Sequence, residues 1–103
     1  MIAHDELSKI IDERVSEERR VLSEHYTQAC ELEFLEATKS MKDFPIRIKC
    51  PIHAIDTDKK GGTIIRNFFE EHGYRSVRTK YDNAGSILIE IHKNGTVLHR
   101  QLN

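Results

Sequence analysis

The sequence predicts an α+β fold, in which a long N-terminal helix (or two helices) precedes a domain ordered strand-helix-strand-strand-strand with a mostly antiparallel sheet. Three observations support this prediction. Residues 1–44 contain neither glycine nor proline, and residues 63–72 have a helical apolar pattern that stops at Gly73. Two later stretches alternate apolar and polar residues, as strands do. The chain therefore divides into a helical arm, residues 1–44, and a small body, residues 45–103.

The arm is too long to be covered by the body. It is predicted to be helical from about Asp5, a plausible N-cap, to about residue 42, because Pro45 removes Phe44 from helical geometry. Such a helix is about 55 Å long, whereas a body of this size is only about 25 Å across. The helix must therefore break, with Ser23-Glu24 the best position for a hairpin, or its distal half, residues 5–22, must pack on another molecule.

Two apolar stripes run along the predicted helix and face different directions. The stripe of residues 26–44 is expected to pack on the sheet. The stripe of the distal half lies about 80–100° around the helix from it, so that it faces away from the body. We predict that this stripe is a protein interface, with self-association into a dimer as the first expectation. The predicted interface residues are Leu7, Ile10, Ile11, Val15, Glu18 and Leu22.

Three polar residues, Arg14, Glu18 and His25, lie near the centre line of the distal stripe. Two interpretations are open. Arg14 and Glu18 are four residues apart and can form an ion pair within one helix, which stabilises it by a few tenths of a kcal/mol. Alternatively, they form a polar layer that sets the register between two helices.

The body is predicted to begin with a strand over residues 46–50, where isoleucine alternates with basic residues. A helix then follows over about residues 58–72. Asp56, Thr57 and Asp58 are candidate N-caps for this helix, because their short side chains can accept hydrogen bonds from its first amides.

Two further strands, residues 75–82 and 86–92, are predicted to form a hairpin. Its three-residue loop places Gly85 in the left-handed conformation. The turn signal Asn94-Gly95 then predicts a fourth strand over residues 97–100, with His99 opposite Glu90. The hairpin register pairs Tyr81 with Ile87, Thr79 with Ile89 and Val77 with Ile91.

Charge is unevenly distributed along the chain. The arm has six Lys or Arg against eleven Asp or Glu, and the body has ten against six. A basic outer face of the sheet suggests an alternative function in nucleic-acid binding, through phosphate contacts. This face has no aromatic residue for base stacking, and the acidic arm would repel a polyanion. The residues of this alternative are Arg47, Lys49, Arg78 and Lys80.

No catalytic constellation, metal site or cofactor site is predicted. Cys50 and His53 have the spacing of half a zinc site, but no second half follows. Residues 59–63 precede a helix and can attract an anion weakly, but they lack the spacing of a phosphate-binding loop. The two cysteines, Cys30 and Cys50, do not form a disulfide framework, and no signal peptide or membrane span is seen. These features predict a soluble, cytoplasmic, non-enzymatic protein.

Residues 56–92 resemble small accessory proteins encoded by bacteriophages. The resemblance lies in the order of the elements, since a short helix ends in Phe68-Phe69-Glu70-Glu71-His72-Gly73-Tyr74 and a strand pair follows that includes Ser86-Ile87-Leu88-Ile89-Glu90-Ile91. It implies a protein that binds a host factor by contact, inhibiting or otherwise modifying it, in the host cytoplasm. It assigns no role to any individual residue.

Overall fold

The computed structural model describes residues 1–98 and has two helices and three strands within them. It confirms the α+β prediction, with the long helix first. The long helix is unbroken, so the hairpin alternative at Ser23-Glu24 is wrong. The elements are α1 (His4–Thr38), β1 (Ile46–Pro51), α2 (Gly61–Glu71), β2 (Ser76–Tyr81) and β3 (Ser86–His92).

The three strands form an antiparallel sheet in the order β1-β3-β2. The hairpin of β2 and β3 has the predicted register, and Gly85 adopts the predicted left-handed conformation with φ of 81°. The carboxylate of Asp82 holds the loop by accepting hydrogen bonds from the amides of Ala84 and Ser86, each at 2.9 Å. The observed pairs include Tyr81 with Ile87, Thr79 with Ile89 and Val77 with Ile91.

The predicted fourth strand is not found where it was expected. Strand β1 occupies the free edge of β3 instead, so that Arg47 rather than His99 lies opposite Glu90. The turn at Asn94-Gly95 is present, but the side chain of Asn94 bonds to the amide of Arg75 and to the carbonyl of Gly73. These bonds direct the chain toward the β2 edge, and residues 96–98 form no strand. Residues 99–103, which include His99 and Arg100, lie outside the described residues.

Both helices begin or end at different residues from those predicted. Helix α1 ends at Thr38 rather than near residue 42, and its N-cap is Ala3 rather than Asp5, which lies in the first turn. Helix α2 begins at Gly61 rather than near residue 58. The later start has a physical cause, because the side chain of Asp56 turns into the protein and accepts the amides of residues 60 and 61.

Both helices pack on one face of the sheet and leave the other face open. Helix α1 contacts β1 and α2, and α2 also contacts β2. As predicted, the stripe that begins at Tyr26 packs on the sheet, with Phe34, Ala37 and Met41 lying against the core. Its predicted end at residue 44 is wrong, because α1 ends at Thr38 and Phe44 is exposed. The fully buried side chains at the centre are Tyr26, Cys30, Cys50, Ile65, Phe69, Ile87, Ile89 and Ile91.

Candidate interaction surface

The distal half of the arm projects from the body. Helix α1 has 35 residues and is about 52 Å long at 1.5 Å per residue. The described molecule measures 61 × 28 × 25 Å, so its long dimension is set by this helix. Of the residues of α1, Leu22, Tyr26 and Cys30 are buried, and all three lie at or beyond the base of the distal half. Most of the distal half is therefore exposed, and it approaches the body at its base, near Leu22.

The apolar stripe on this projecting helix is uncovered. Leu7, Ile11 and Val15 are 46%, 49% and 41% exposed, and they follow one another at intervals of four residues. Ile10 beside them is half-buried, and Glu18 is exposed. These five predicted interface residues are thus accessible to a partner.

Leu22 is the exception among the predicted interface residues. It is only 4% exposed and belongs to the core of its own chain. The sequence pattern placed it in the distal stripe, but at this point the stripe reaches the body. A crevice continues the stripe onto the body, where Ile55 and Ile64 line it together with Val15 and Leu22. We call the surface formed by Ile55 and Ile64 the shoulder.

The charged residues of the arm do not pair as the single-helix interpretation requires. Arg20 forms the ion pairs of this region, with Glu17 and with Glu24, the latter at 2.8 Å. Within residues 1–98 neither Arg14 nor Glu18 has an oppositely charged group within 4 Å, although the spacing of the two suits an intrahelical pair. The interpretation as a polar layer between helices is the one that the structure leaves open.

A buried carboxylate fixes the base of the arm to the body. Asp56 is 6% exposed and accepts hydrogen bonds from the hydroxyl of Tyr26 on α1, at 2.7 Å, and from the amides of Lys60 and Gly61, at 2.7 and 2.9 Å. The hydroxyl of Tyr26 accepts in turn from the amide of His53, at 3.0 Å. Burial, and then the bond to Asp56, raise the pKa of Tyr26. The direction of the arm is therefore set by bonds as well as by packing.

The same network occupies the candidate anion site at the start of α2. The amide of Gly62 donates to the hydroxyl of Tyr81, at 3.0 Å, while Asp56 takes the two preceding amides. A carboxylate at a helix N-terminus is favourable for the same reason that a bound anion would be. The protein supplies this anion itself. Asp56 was one of three predicted N-caps, but the N-cap position of α2 is occupied by Lys60. The sequence contained no sign of the bond between Asp56 and Tyr26.

The four cations of the alternative nucleic-acid surface do share the open face of the sheet, as predicted. Carboxylates lie among them, however. Glu90 accepts a hydrogen bond from Arg78, at 2.6 Å, and forms an ion pair with Arg47, at 3.5 Å. Lys49 lies 3.7 Å from Asp82. Three of the four cations thus have a carboxylate partner, which lowers the positive potential that a phosphate backbone would meet.

Glu90 should make stability sensitive to acid. The hydrogen bond from His92, and then those with Arg78, hold the pKa of Glu90 below its usual range. A carboxyl whose pKa is lower in the folded state stabilises the fold when ionised, and this contribution is lost as the pH falls through the folded pKa. We expect the melting temperature of Glu90→Gln to fall less than that of the wild type when the pH is lowered from about 5 to about 3. Glu70→Gln, at an exposed position, is the matched control, and equal acid sensitivity of all three proteins would contradict the assignment.

The cysteines and histidines considered for zinc do not converge. Cys30 and Cys50 are both buried, and their mutual hydrogen bond raises the pKa of Cys30 and lowers that of Cys50. The ring of His53 packs edge-on against His25, with centroids 4.7 Å apart. Among residues 1–98 no group of three His, Cys, Asp or Glu side chains is placed to hold a metal ion.

A second apolar surface, missed by the sequence reasoning, lies between the helices at the end of the body away from the distal half of the arm. It is a groove of about 250 Å³ lined by aromatic rings, with Glu31 and Leu35 on the α1 side. The rings pack edge to face, as Phe34 does on Tyr74 with centroids 5.4 Å apart. The aromatic residues of the groove are Phe34, Phe68, Phe69, His72 and Tyr74.

Comparisons with protein families, with characterised proteins and with solved structures give no match to this chain. The resemblance to phage accessory proteins thus stays a prediction. Within residues 1–98, neither helix combines the length and the apolar character needed to cross a membrane. The surface that the fold offers most openly for contact is the apolar stripe of the distal half of the arm.

Proposed function

We propose that this protein is a non-enzymatic binding protein that self-associates through the distal half of its arm and acts by contact with a protein partner. The observation that carries the proposal is the exposed apolar stripe of Leu7, Ile11 and Val15 on the part of α1 that projects from the body. Apolar side chains that are regularly spaced on one helix face gain stability when a second surface removes them from water. The stripe also continues onto the shoulder, which enlarges the surface that a partner can cover.

The length of the projecting helix supports the same proposal. Helices owe most of their stability in water to the packing of an apolar face, and a helix without such packing is marginal. Among the described residues, the distal half meets its own body at its base, where Val15, Glu18, Arg19 and Leu22 line the crevice with the shoulder. A second arm supplies the missing surface, and a dimer then presents two bodies. The aromatic groove of each protomer lies away from the distal half of the arm and stays available to a protein partner.

Replacement of the stripe by charge tests the proposal. We expect Ile11→Glu combined with Val15→Glu to give a folded monomer, because a dimer would have to bury four unpaired carboxylates. The measurement is the mass by light scattering on a sizing column, with circular dichroism to confirm folding. Ser16→Glu combined with Ser23→Glu adds the same charge at exposed positions outside the stripe and should leave the mass unchanged. An unchanged mass in the stripe variant would show that this surface is not the interface.

The alternative function is nucleic-acid binding by the open face of the sheet. It is favoured because four basic side chains, those of Arg47, Lys49, Arg78 and Lys80, lie on this face. It is weakened by Glu90 and Asp82, which pair with three of them. The row across the centre of this face contains Leu88 between Lys49 and Lys80 and has no aromatic ring. Single-strand binders commonly stack bases on aromatic side chains. Self-association is therefore the better-supported proposal.

A further inference from the structure

Resting on the proposed self-association, we infer that the partner of the arm is a second copy of this chain, and that the two helices pair antiparallel. The two-fold axis passes between them at the level of residue 16, so that positions equally distant from residue 16 on its two sides face each other. In this arrangement Arg14 of each copy meets Glu18 of the other. The inference rests on charge complementarity between Arg14 and Glu18, and the apolar spacing and the position of the body are compatible with the same register.

Charge selects the antiparallel direction. With the axis at residue 16, two ion pairs form between Arg14 and Glu18 across the interface, and both residues lack an intrachain partner within the described residues. A parallel pair in register would place Arg14 against Arg14 and Glu18 against Glu18. Two layers of like charge at the centre of an interface are strongly unfavourable.

Apolar spacing fits the same register. The positions 7, 11, 14, 18, 21 and 25 follow one another at steps of four and three, the repeat of a helix pair, and Val15 lies beside this row on the side toward the body. An axis at residue 16 places Ile11 opposite Val21 of the second copy and Leu7 opposite His25, next to the shoulder. Both Val21 and His25 are already half-buried in the single chain, where the ring of His25 packs against that of His53 with centroids 4.7 Å apart, so the second copy would extend contacts that the body begins. An axis at residue 11 would pair Leu7 with Val15 but would leave Arg14 opposite Ser8, without an ionic partner.

The body leaves room for this arrangement. Each body begins at Leu22, on the far side of its arm from the axis, so the two bodies lie at opposite ends of the paired helices. Residues 4–28 of each copy overlap, which is a contact of roughly 37 Å along the axis. The body packs on a face of α1 centred about 90° around from the seam. It leaves Leu7, Ile11 and Arg14 exposed, and it approaches the seam at Glu18, which borders the crevice, and at His25, which packs on His53.

Charge reversal tests the pairing directly. We expect Arg14→Glu alone and Glu18→Arg alone to raise the dissociation constant of the dimer at least about ten-fold, since each homodimer then has two like-charge pairs. A mixture of the two variants should form a heterodimer, in which every pair is opposite in charge. Light scattering of each variant and of the mixture measures this. If both variants dimerise as tightly as the wild type, the inferred pairing of Arg14 with Glu18 is overturned, while the proposed self-association stands. A wild-type protein that is monomeric would overturn the proposed function itself.

The direction of pairing is tested by a distance. A spin label on Asp5→Cys, with Cys30 and Cys50 buried and protected from labelling, should lie about 33 Å along the axis from its counterpart. A parallel pair would give roughly the 8–10 Å that separates packed helices, and an axis at residue 11 would give about 18 Å. Either of the two shorter distances would overturn the inferred register.

Discussion

Asp56→Ala is expected to lower the free energy of unfolding by about 3–5 kcal/mol, the largest effect we expect of a single substitution. The carboxylate accepts from the hydroxyl of Tyr26 and from the amides of Lys60 and Gly61. Alanine leaves three donors without their acceptor, two of them in buried residues, and each unsatisfied buried group costs about 1–3 kcal/mol. It also leaves a void where the side chain was.

The measurement is urea unfolding followed by circular dichroism at equal protein concentration. Asp58→Ala is the matched control, because Asp58 is an exposed residue two positions away whose ion pair with Lys60 is long, at 4.0 Å. A surface pair of this kind contributes about 0–1 kcal/mol. If Asp56→Ala and Asp58→Ala lowered the free energy of unfolding by the same small amount, the hydrogen bonds of the buried carboxylate would not be what fixes the arm to the body.

Gly61→Ala is the second substitution for which we expect a large loss, about 1–3 kcal/mol. A Cβ at this position would lie 2.6 Å from Cδ1 of Ile87, 2.7 Å from Cζ of Tyr26 and 2.9 Å from Oδ2 of Asp56. Neither Tyr26 nor Asp56 can move away without breaking the bond between them. In an open helix the same change would stabilise by up to about 1 kcal/mol, so the expected sign is opposite to that of helix propensity.

Two further substitutions in α2 calibrate this result. Gly62→Ala brings its Cβ to 3.0 Å from Oγ1 of Thr79, with its other neighbours at 3.5 Å or more, and should cost less. Asn67 lies on the exposed side of α2, so Asn67→Ala should leave the free energy of unfolding unchanged or raise it slightly. Thermal melting points should therefore fall in the order Asn67→Ala, Gly62→Ala, Gly61→Ala. A Gly61→Ala protein as stable as the wild type would contradict the close packing at the start of α2.

The elements that were predictable from the sequence are those set by local patterns. The absence of breakers in residues 1–44 indicated a helical arm, although it left a hairpin at Ser23-Glu24 open. The alternation around Gly85 indicated the hairpin with its register. The prediction of a fourth strand was wrong because the Asn94-Gly95 signal specifies a turn but does not specify which edge of the sheet the following residues approach. The edge was decided by long-range pairing of β1 with β3 and by the bonds of Asn94 to Gly73 and Arg75.

The candidate surface was predictable to a similar extent. Helical spacing identified Leu7, Ile11 and Val15 as a stripe that the body could not reach. It could not show that Leu22 belongs to the core, because the point at which an arm meets its body depends on tertiary packing. The same limit applies to Asp56, whose acceptor role requires Tyr26, a residue thirty positions earlier in the chain.

The mass of the wild-type protein in solution tests the central claim most directly. It is measured by light scattering on a sizing column, with absorbance at 260 and 280 nm recorded together. The chain has three Tyr and no Trp, so bound nucleic acid would dominate the absorbance. Self-association through the arm predicts a mass twice the 12.0 kDa of one chain, without excess absorbance at 260 nm. A mass of one chain at every concentration loaded would contradict it.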